Sequence, residues 1–241
     1  MDTMNKNILL STKDLCKNFQ GIQAVKKINF ELPQNEIRAL IGPNGAGKTT
    51  FVSLLCGRIK SSSGSVFFNN ENISQLPVYK RISRGIGYTF QITSIFSNLT
   101  VHENIALAIK QNEFMKNNLE ELISNVLRKV ELIDRIDQRS GDLSYGHQRL
   151  LELAMGMAQE PKLLILDEPT QGLSDSEIEN FKSLIKNISS NTTILLIEHN
   201  MEVVMSLADK ISVLHFGKII AEGNQQTIKN DPLVQKAYLG N

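Results

Sequence analysis

The segment Gly42-Pro43-Asn44-Gly45-Ala46-Gly47-Lys48-Thr49 constrains this chain more than any other. It fits G-x-x-x-x-G-K-[ST]. A strand candidate, Glu36 to Ile41, leads into it, and Thr49 to Cys56 is apolar at helical spacing, with Gly57 where a helix would stop. Strand, glycine-rich turn and helix, in that order, are the context the pattern requires. Glycines let the backbone turn with its N–H groups pointing inward around phosphate oxygens. The N-terminus of the following helix adds a favourable dipole. Lys48 supplies a charge at the outer phosphates, the Thr49 hydroxyl can ligate Mg²⁺, and Thr50 extends the same cradle. By itself the loop implies a nucleoside triphosphate and nothing narrower.

A second motif narrows the reading. Lys162-Leu163-Leu164-Ile165-Leu166-Asp167-Glu168-Pro169 is an apolar strand ending in two carboxylates. Pro169 ends the strand and leaves them at its carboxyl edge, where α/β sheets bind ligands. Asp167 is placed to hold the Mg²⁺ shell. Glu168 is placed to polarise an attacking water as general base.

The rest of the chain reads as one α/β unit. Lys26 to Leu32 and Gly64 to Phe68 are strand candidates. Leu163 to Leu166 and Ile194 to Ile197 are continuous apolar runs, as expected for strands buried on both faces of a parallel sheet. Leu119, Leu122, Ile123, Val126, Leu127, Val130 and Ile133 form one helical stripe, which predicts core packing. Ile178, Phe181, Leu184, Ile185 and Ile188 mark another helix, with Ser174 and Glu177 as a capping box. Ile211 to Leu214 and Lys218 to Ala221, around Gly217, predict a hairpin.

Composition excludes several classes. Among 241 residues, 26 Lys and Arg balance 25 Asp and Glu, so bulk charge gives no reason to expect nucleic-acid binding. No stretch approaches the ~20 apolar residues that cross a bilayer, and no secretory leader is apparent, so any membrane role is expected to come through a partner. Cys16 and Cys56 lie far apart, make no metal-ligand pattern and are expected to be buried, reduced thiols.

Between the two motifs stands Gly141-Asp142-Leu143-Ser144-Tyr145-Gly146-His147-Gln148-Arg149. It resembles the L-S-G-G-Q signature of ATP-binding cassette ATPases. Leu143, Ser144 and Gly146 match; Tyr145 and His147 depart. The remaining family elements follow in order. Phe19 stands where the family places an aromatic that stacks on adenine. Gln91 resembles the glutamine that senses Mg²⁺ and the membrane partner. Gly172-Leu173-Ser174-Asp175 resembles the loop that meets the opposite subunit, and His199 resembles the switch histidine at the γ-phosphate.

The resemblance implies a phosphate-loop NTPase core with an N-terminal antiparallel β-subdomain and an inserted α-helical subdomain. All of 1–241 is one such domain. About 1–91 and 155–241 form the β-subdomain and α/β core, and about 92–154 the helical signature subdomain. It implies hydrolysis of ATP with Mg²⁺, with Glu168 and His199 as the catalytic pair. Two cassettes meet head to tail, so that Ser144 and Gly146 of one cover ATP held by the other. Tyr145 stands for a glycine, so its backbone is expected to keep a glycine-like path or to shift slightly.

Leu143 to Pro161, Phe90 to Thr100, Ile211 to Gly223 and Asp231 to Gly240 resemble the ATPases of branched-chain amino-acid importers and their urea and short-chain amide relatives. The implied partners are a second, paralogous ATPase, two transmembrane permeases, one coupling helix of which would enter a groove bordered by Ile92 to Phe96, and indirectly a substrate-binding protein. The implied location is the cytoplasmic face of the cell membrane. A soluble cassette ATPase of repair or translation is the alternative. Repair types carry a long coiled coil between phosphate loop and signature, whereas only Thr50 to Asp142 intervenes here, and translation types usually carry two cassettes.

Overall fold

The computed structural model of the protein describes residues 7–89, 94–109 and 118–239. Two sheets organise it. The first is antiparallel, with β1 (Ile8–Phe19), β2 (Ile22–Pro33), β4 (Ser63–Phe68) and β5 (Glu71–Asn72) in the order β2-β1-β4-β5. The second contains β3 (Ile37–Ile41), β6 (Ile86–Thr89), β7 (Leu163–Asp167), β8 (Thr193–Ile197), β9 (Lys210–His215) and β10 (Lys218–Gly223), in the order β10-β9-β3-β8-β7-β6. Its strands are parallel except β10, which returns antiparallel beside β9. This is the α/β cassette architecture expected from the sequence.

Burial explains the apolar runs. Every residue of β3, β7 and β8 is buried. Alternate residues serve opposite faces of the sheet. Leu163, Ile165, Leu195 and Ile197 pack with Phe30, Phe51 and Phe68 between the two sheets. Leu164, Leu166, Ile194 and Leu196 pack against the helical side. Each such side chain contributes about 1.5–3 kcal/mol when fully buried.

The helices are α1 (Lys48–Cys56), α2 (Val78–Ile82), α3 (Val101–Ile109), α4 (Leu119–Lys129), α5 (Tyr145–Met157), α6 (Asp175–Ser189), α7 (Met201–Leu207), α8 (Gln225–Asn230) and α9 (Pro232–Leu239). Helices α3 to α7 cover one face of the second sheet, and α7 to α9 cover its β3–β9 edge. The apolar stripe of α4 is shorter than its spacing suggests. The helix stops at Lys129, and Glu131 takes a left-handed φ of 58°. Val130 is still buried, but Ile133 belongs to a separate 3-10 turn. The β9–β10 hairpin turns on Phe216 and Gly217, at φ 45° and 77°, the two positive angles of a I′ turn.

Two buried arginines join elements. Arg38 on β3 donates to Glu36, Ser212, Glu222 and the Glu31 carbonyl, and it lies over the Phe30 ring. Arg81 on α2 donates to the carbonyls of Leu54 and Leu55 at 2.7 Å, closing the C-terminal end of α1. Cys16 and Cys56 are free and buried, as expected. Burial pushes the Cys56 thiol up to about 12, partly offset by Arg81. Among the described residues, no helix is long and apolar enough to cross a membrane.

Candidate functional site

The site forms at the carboxyl ends of β3, β8 and β7, adjacent parallel strands in the middle of the second sheet. From β3 the chain runs through Gly42 to Gly47 into α1. The backbone at Gly47 has φ 104°, and a Cβ there would strike the Ala24 carbonyl, so only glycine fits. The β9–β10 turn pins the loop, because the Gly217 N–H donates to the Ala46 carbonyl at 2.8 Å.

Lys48 lies across this loop. Its Nζ donates to the Gly42 carbonyl at 2.6 Å and to that of Pro43 at 3.3 Å. Burial pushes the Lys48 ammonium below its usual range, while Glu168 and Asp167 pull it back up. The first and second motifs therefore meet electrostatically. Thr49 is exposed and Thr50 half-buried in the same first helical turn.

Asp167 ends β7 and is 2% exposed. Its Oδ2 accepts a hydrogen bond from the Tyr88 phenol at 2.9 Å, and that phenol accepts one from Arg58 at 3.3 Å. Burial raises the Asp167 pKa, against the Tyr88 bond. Burial likewise raises that of Tyr88, and Asp167 adds to it. Tyr88 was not singled out by sequence reasoning, because its role appears only when β6 pairs with β7.

Glu168 takes a left-handed φ of 50°, a conformation that costs a non-glycine residue of order 1–3 kcal/mol. Its N–H donates to the Ile197 carbonyl at 2.9 Å, and its Oε1 lies 3.7 Å from His199 Nδ1. The His199 side chain is 61% exposed and that of Glu168 17%, so the pair opens outward from a rigid base. Behind it is a second residue the sequence reading passed over. Glu198 is 1% exposed and accepts hydrogen bonds from Thr170 on one side and from the His199 and Asn200 N–H groups on the other.

The signature residues form a separate corner. Ser144 caps α5, accepting from the His147 N–H at 3.3 Å, and its Oγ is 2.9 Å from His147 Nδ1. Tyr145 opens α5 at a negative φ, so the expected glycine-like path is not needed. Its ring packs beside Gly172, and its phenol accepts from Arg149. Gly146 is buried, and a Cβ there would collide with the Glu177 carboxylate, so α5 and α6 meet closely at this glycine.

Phe19 ends β1 with 44% of its surface exposed and Lys17 Nζ 4.9 Å from its ring. It is therefore a surface platform and not a core residue. Gln91, with Phe90, Ile92 and Thr93, lies outside the described residues. The structure thus brings Lys48, Asp167, Glu168 and His199 together, and groups Ser144 and Gly146 with the start of α6. The donor chemistry of Thr49 and Asp167 suits a divalent cation. Thr49 and Asp167 supply hard oxygen donors, and a cation would offset the burial of the Asp167 carboxylate.

A phosphate loop, an acidic strand end and a capped signature helix on this pair of sheets define an ATP-binding cassette. The family model for ABC transporters matches residues 25–171, and the chain belongs to that family as one of its ATPase cassettes. Among curated relatives, it is 37% identical to the high-affinity branched-chain amino acid transport ATP-binding protein LivG of Escherichia coli K12. That match covers 96% of this chain and 98% of the relative. BraF of Pseudomonas aeruginosa, which carries the same description, is 36% identical over the same shares. The lipopolysaccharide export system ATP-binding protein LptB of Haemophilus influenzae is 31% identical over 96% and 97%. The ADP conformation of the ATP-binding cassette MJ1267 is similar in structure, with a TM-score of 0.86 and 28% identity over 97% and 99% of the two chains.

Proposed function

We propose that this chain is the ATP-hydrolysing subunit of an importer for branched-chain or other small amino acids. The observation that carries the ATPase reading is the convergence of Lys48, Asp167, Glu168 and His199 at adjoining strand ends. Similarity to LivG and BraF along nearly the whole chain supports the transport reading.

In this reading Gly42 to Thr50 wrap the phosphates, and Lys48 exchanges its loop carbonyls for the outer phosphate oxygens. Phe19 supports the adenine. Thr49 and Asp167, with Gln91, hold Mg²⁺, which supplies charge neutralisation at the phosphates. Glu168 accepts a proton from the attacking water, and His199 faces the γ-phosphate. Ser144 and the N-terminus of α5 serve the nucleotide of a second cassette, held head to tail. The second cassette is a paralogue, and two permeases hold the pair at the inner face of the membrane. Binding ATP favours the closed pair, and hydrolysis releases it.

Glu168→Gln keeps the size of the side chain and removes the base. ATP hydrolysis is expected to fall by several orders of magnitude, with ATP affinity within a few-fold of wild type. Near-normal turnover would remove the role assigned to Glu168. Co-purification of the tagged chain from native membranes with two permeases and a related ATPase is expected. Recovery with ribosomes or DNA would overturn the transport reading.

A further inference from the structure

Glu198 follows the last residue of β8 and is buried to 1% exposure. Both of its carboxylate oxygens are engaged, on different loops. Oε1 accepts from the Thr170 N–H at 3.0 Å and from the Thr170 hydroxyl at 2.6 Å. Oε2 accepts from the N–H groups of His199 at 3.1 Å and Asn200 at 3.3 Å. Thr170 belongs to the loop after β7, two residues beyond Glu168. His199 is the first residue after Glu198 itself. A backbone bond from the Glu168 N–H to the Ile197 carbonyl and the Glu168–His199 side-chain pair also join these segments.

We infer that Glu198 is a positioning residue for ATP hydrolysis: its carboxylate locks the loop carrying Glu168 to the loop carrying His199. This rests on the ATPase reading given above. Three backbone N–H groups and one hydroxyl point at Glu198, and a carboxylate offers two acceptor oxygens that take them two apiece. A glutamine of the same shape would turn an NH₂ toward one donor set and lose that side of the clasp. The backbones that carry Glu168 and His199 are then held from beneath, by a carboxylate that is itself buried to 1% exposure. Glu168 sits in a left-handed conformation that its surroundings must enforce, and the clasp on Thr170 supplies part of that enforcement.

The test uses the full chain, with three readouts for each variant: kcat and KM for ATP hydrolysis, ATP affinity measured directly by fluorescence titration, and thermal unfolding. Glu198→Gln is expected to lower kcat about 10- to 100-fold, the scale of a misplaced catalytic group. Its ATP affinity is expected to stay within about two-fold of wild type, because the phosphate loop is untouched. Thr170→Val removes one donor and leaves the carboxylate in place. It is expected to lower kcat several-fold in the same pattern, and it remains informative if Glu198→Gln folds poorly. Unchanged kcat per folded site in Thr170→Val, or in a folded Glu198→Gln, would overturn the inference. So would a loss of ATP affinity matching the loss of kcat, because that is the signature of general damage. A wild-type chain that binds ATP but does not hydrolyse it would overturn the ATPase reading, and the inference with it.

Discussion

The hydrogen bond from Tyr88 to Asp167 couples the end of β6 to the carboxylate at the end of β7. Asp167 is nearly inaccessible, so its charge depends on what the protein offers it. Tyr88→Phe keeps the ring and deletes the donor. It is expected to destabilise the fold by about 1.5–3 kcal/mol near neutral pH, the usual range for a bond to a charged group. The bond favours the ionised form of Asp167. Its contribution is therefore largest where Asp167 is ionised and shrinks as the pH falls through the raised value and Asp167 takes up its proton. Urea unfolding of both proteins at neutral and mildly acid pH checks this. A difference that grows toward acid would contradict it. Residues such as Lys48, Asp167, Glu168 and His199 were legible from the sequence because each stands in a contiguous motif of fixed chemistry. Tyr88 and Glu198 were not, because the partner that ties each to another strand end lies far along the chain, Asp167 79 residues from Tyr88 and Thr170 28 residues from Glu198.

The N-terminal turn of α6 shows how an element is both stabilised and tied to the site. The Glu177 carboxylate accepts from the Ser174 N–H at 2.8 Å and from its hydroxyl at 2.7 Å, and it fills the space above Gly146. These two bonds, backbone first, hold the Glu177 carboxyl below its ordinary value of 4.5. Glu177→Ala is expected to cost about 1 kcal/mol, the scale of a lost helix cap. The native pKa is depressed, so the contribution is present above 4.5 and is lost as the pH falls through the lowered value. Thermal unfolding near pH 6 and near pH 3 checks the sign: the gap between variant and wild type is expected to close in acid. This cap was readable from Ser174, Glu177 and the helical spacing alone. So was the β9–β10 turn. The end of α4 was not, because Val130 continues the apolar period into a turn where Glu131 has already left the helix. Periodicity reports which residues are buried, and burial does not stop where a helix does.

At the scale of the molecule, local patterning predicted the strands of the second sheet except β6, and it did not predict their order. In sequence β3 precedes β6 and β7, yet in space β8 lies on one side of β3 and β9 on the other. That order comes from crossovers through α6 and α7, which no local pattern encodes. The two sheets also need a tie between them, and Arg38 supplies one. Its side chain is 2% exposed, forms ion pairs with Glu36 and Glu222 in the second sheet's surroundings, and reaches the Glu31 carbonyl on β2 of the first. Arg38→Met preserves much of the bulk and leaves the Glu36 carboxylate buried without that cation. Removing one partner of a buried pair costs about 3–5 kcal/mol, whereas replacing both with uncharged groups costs much less. The single variant is therefore expected to lower the unfolding free energy by that amount, read as a lower denaturation midpoint. Glu36→Gln combined with Arg38→Met is expected to recover a large part of the loss. The denaturant slope should be unchanged in both, because the two sheets would still unfold as one unit. If the double variant is as unstable as the sum of the two singles, the interaction between the partners is absent and Arg38 ties the sheets by packing against Phe30 alone.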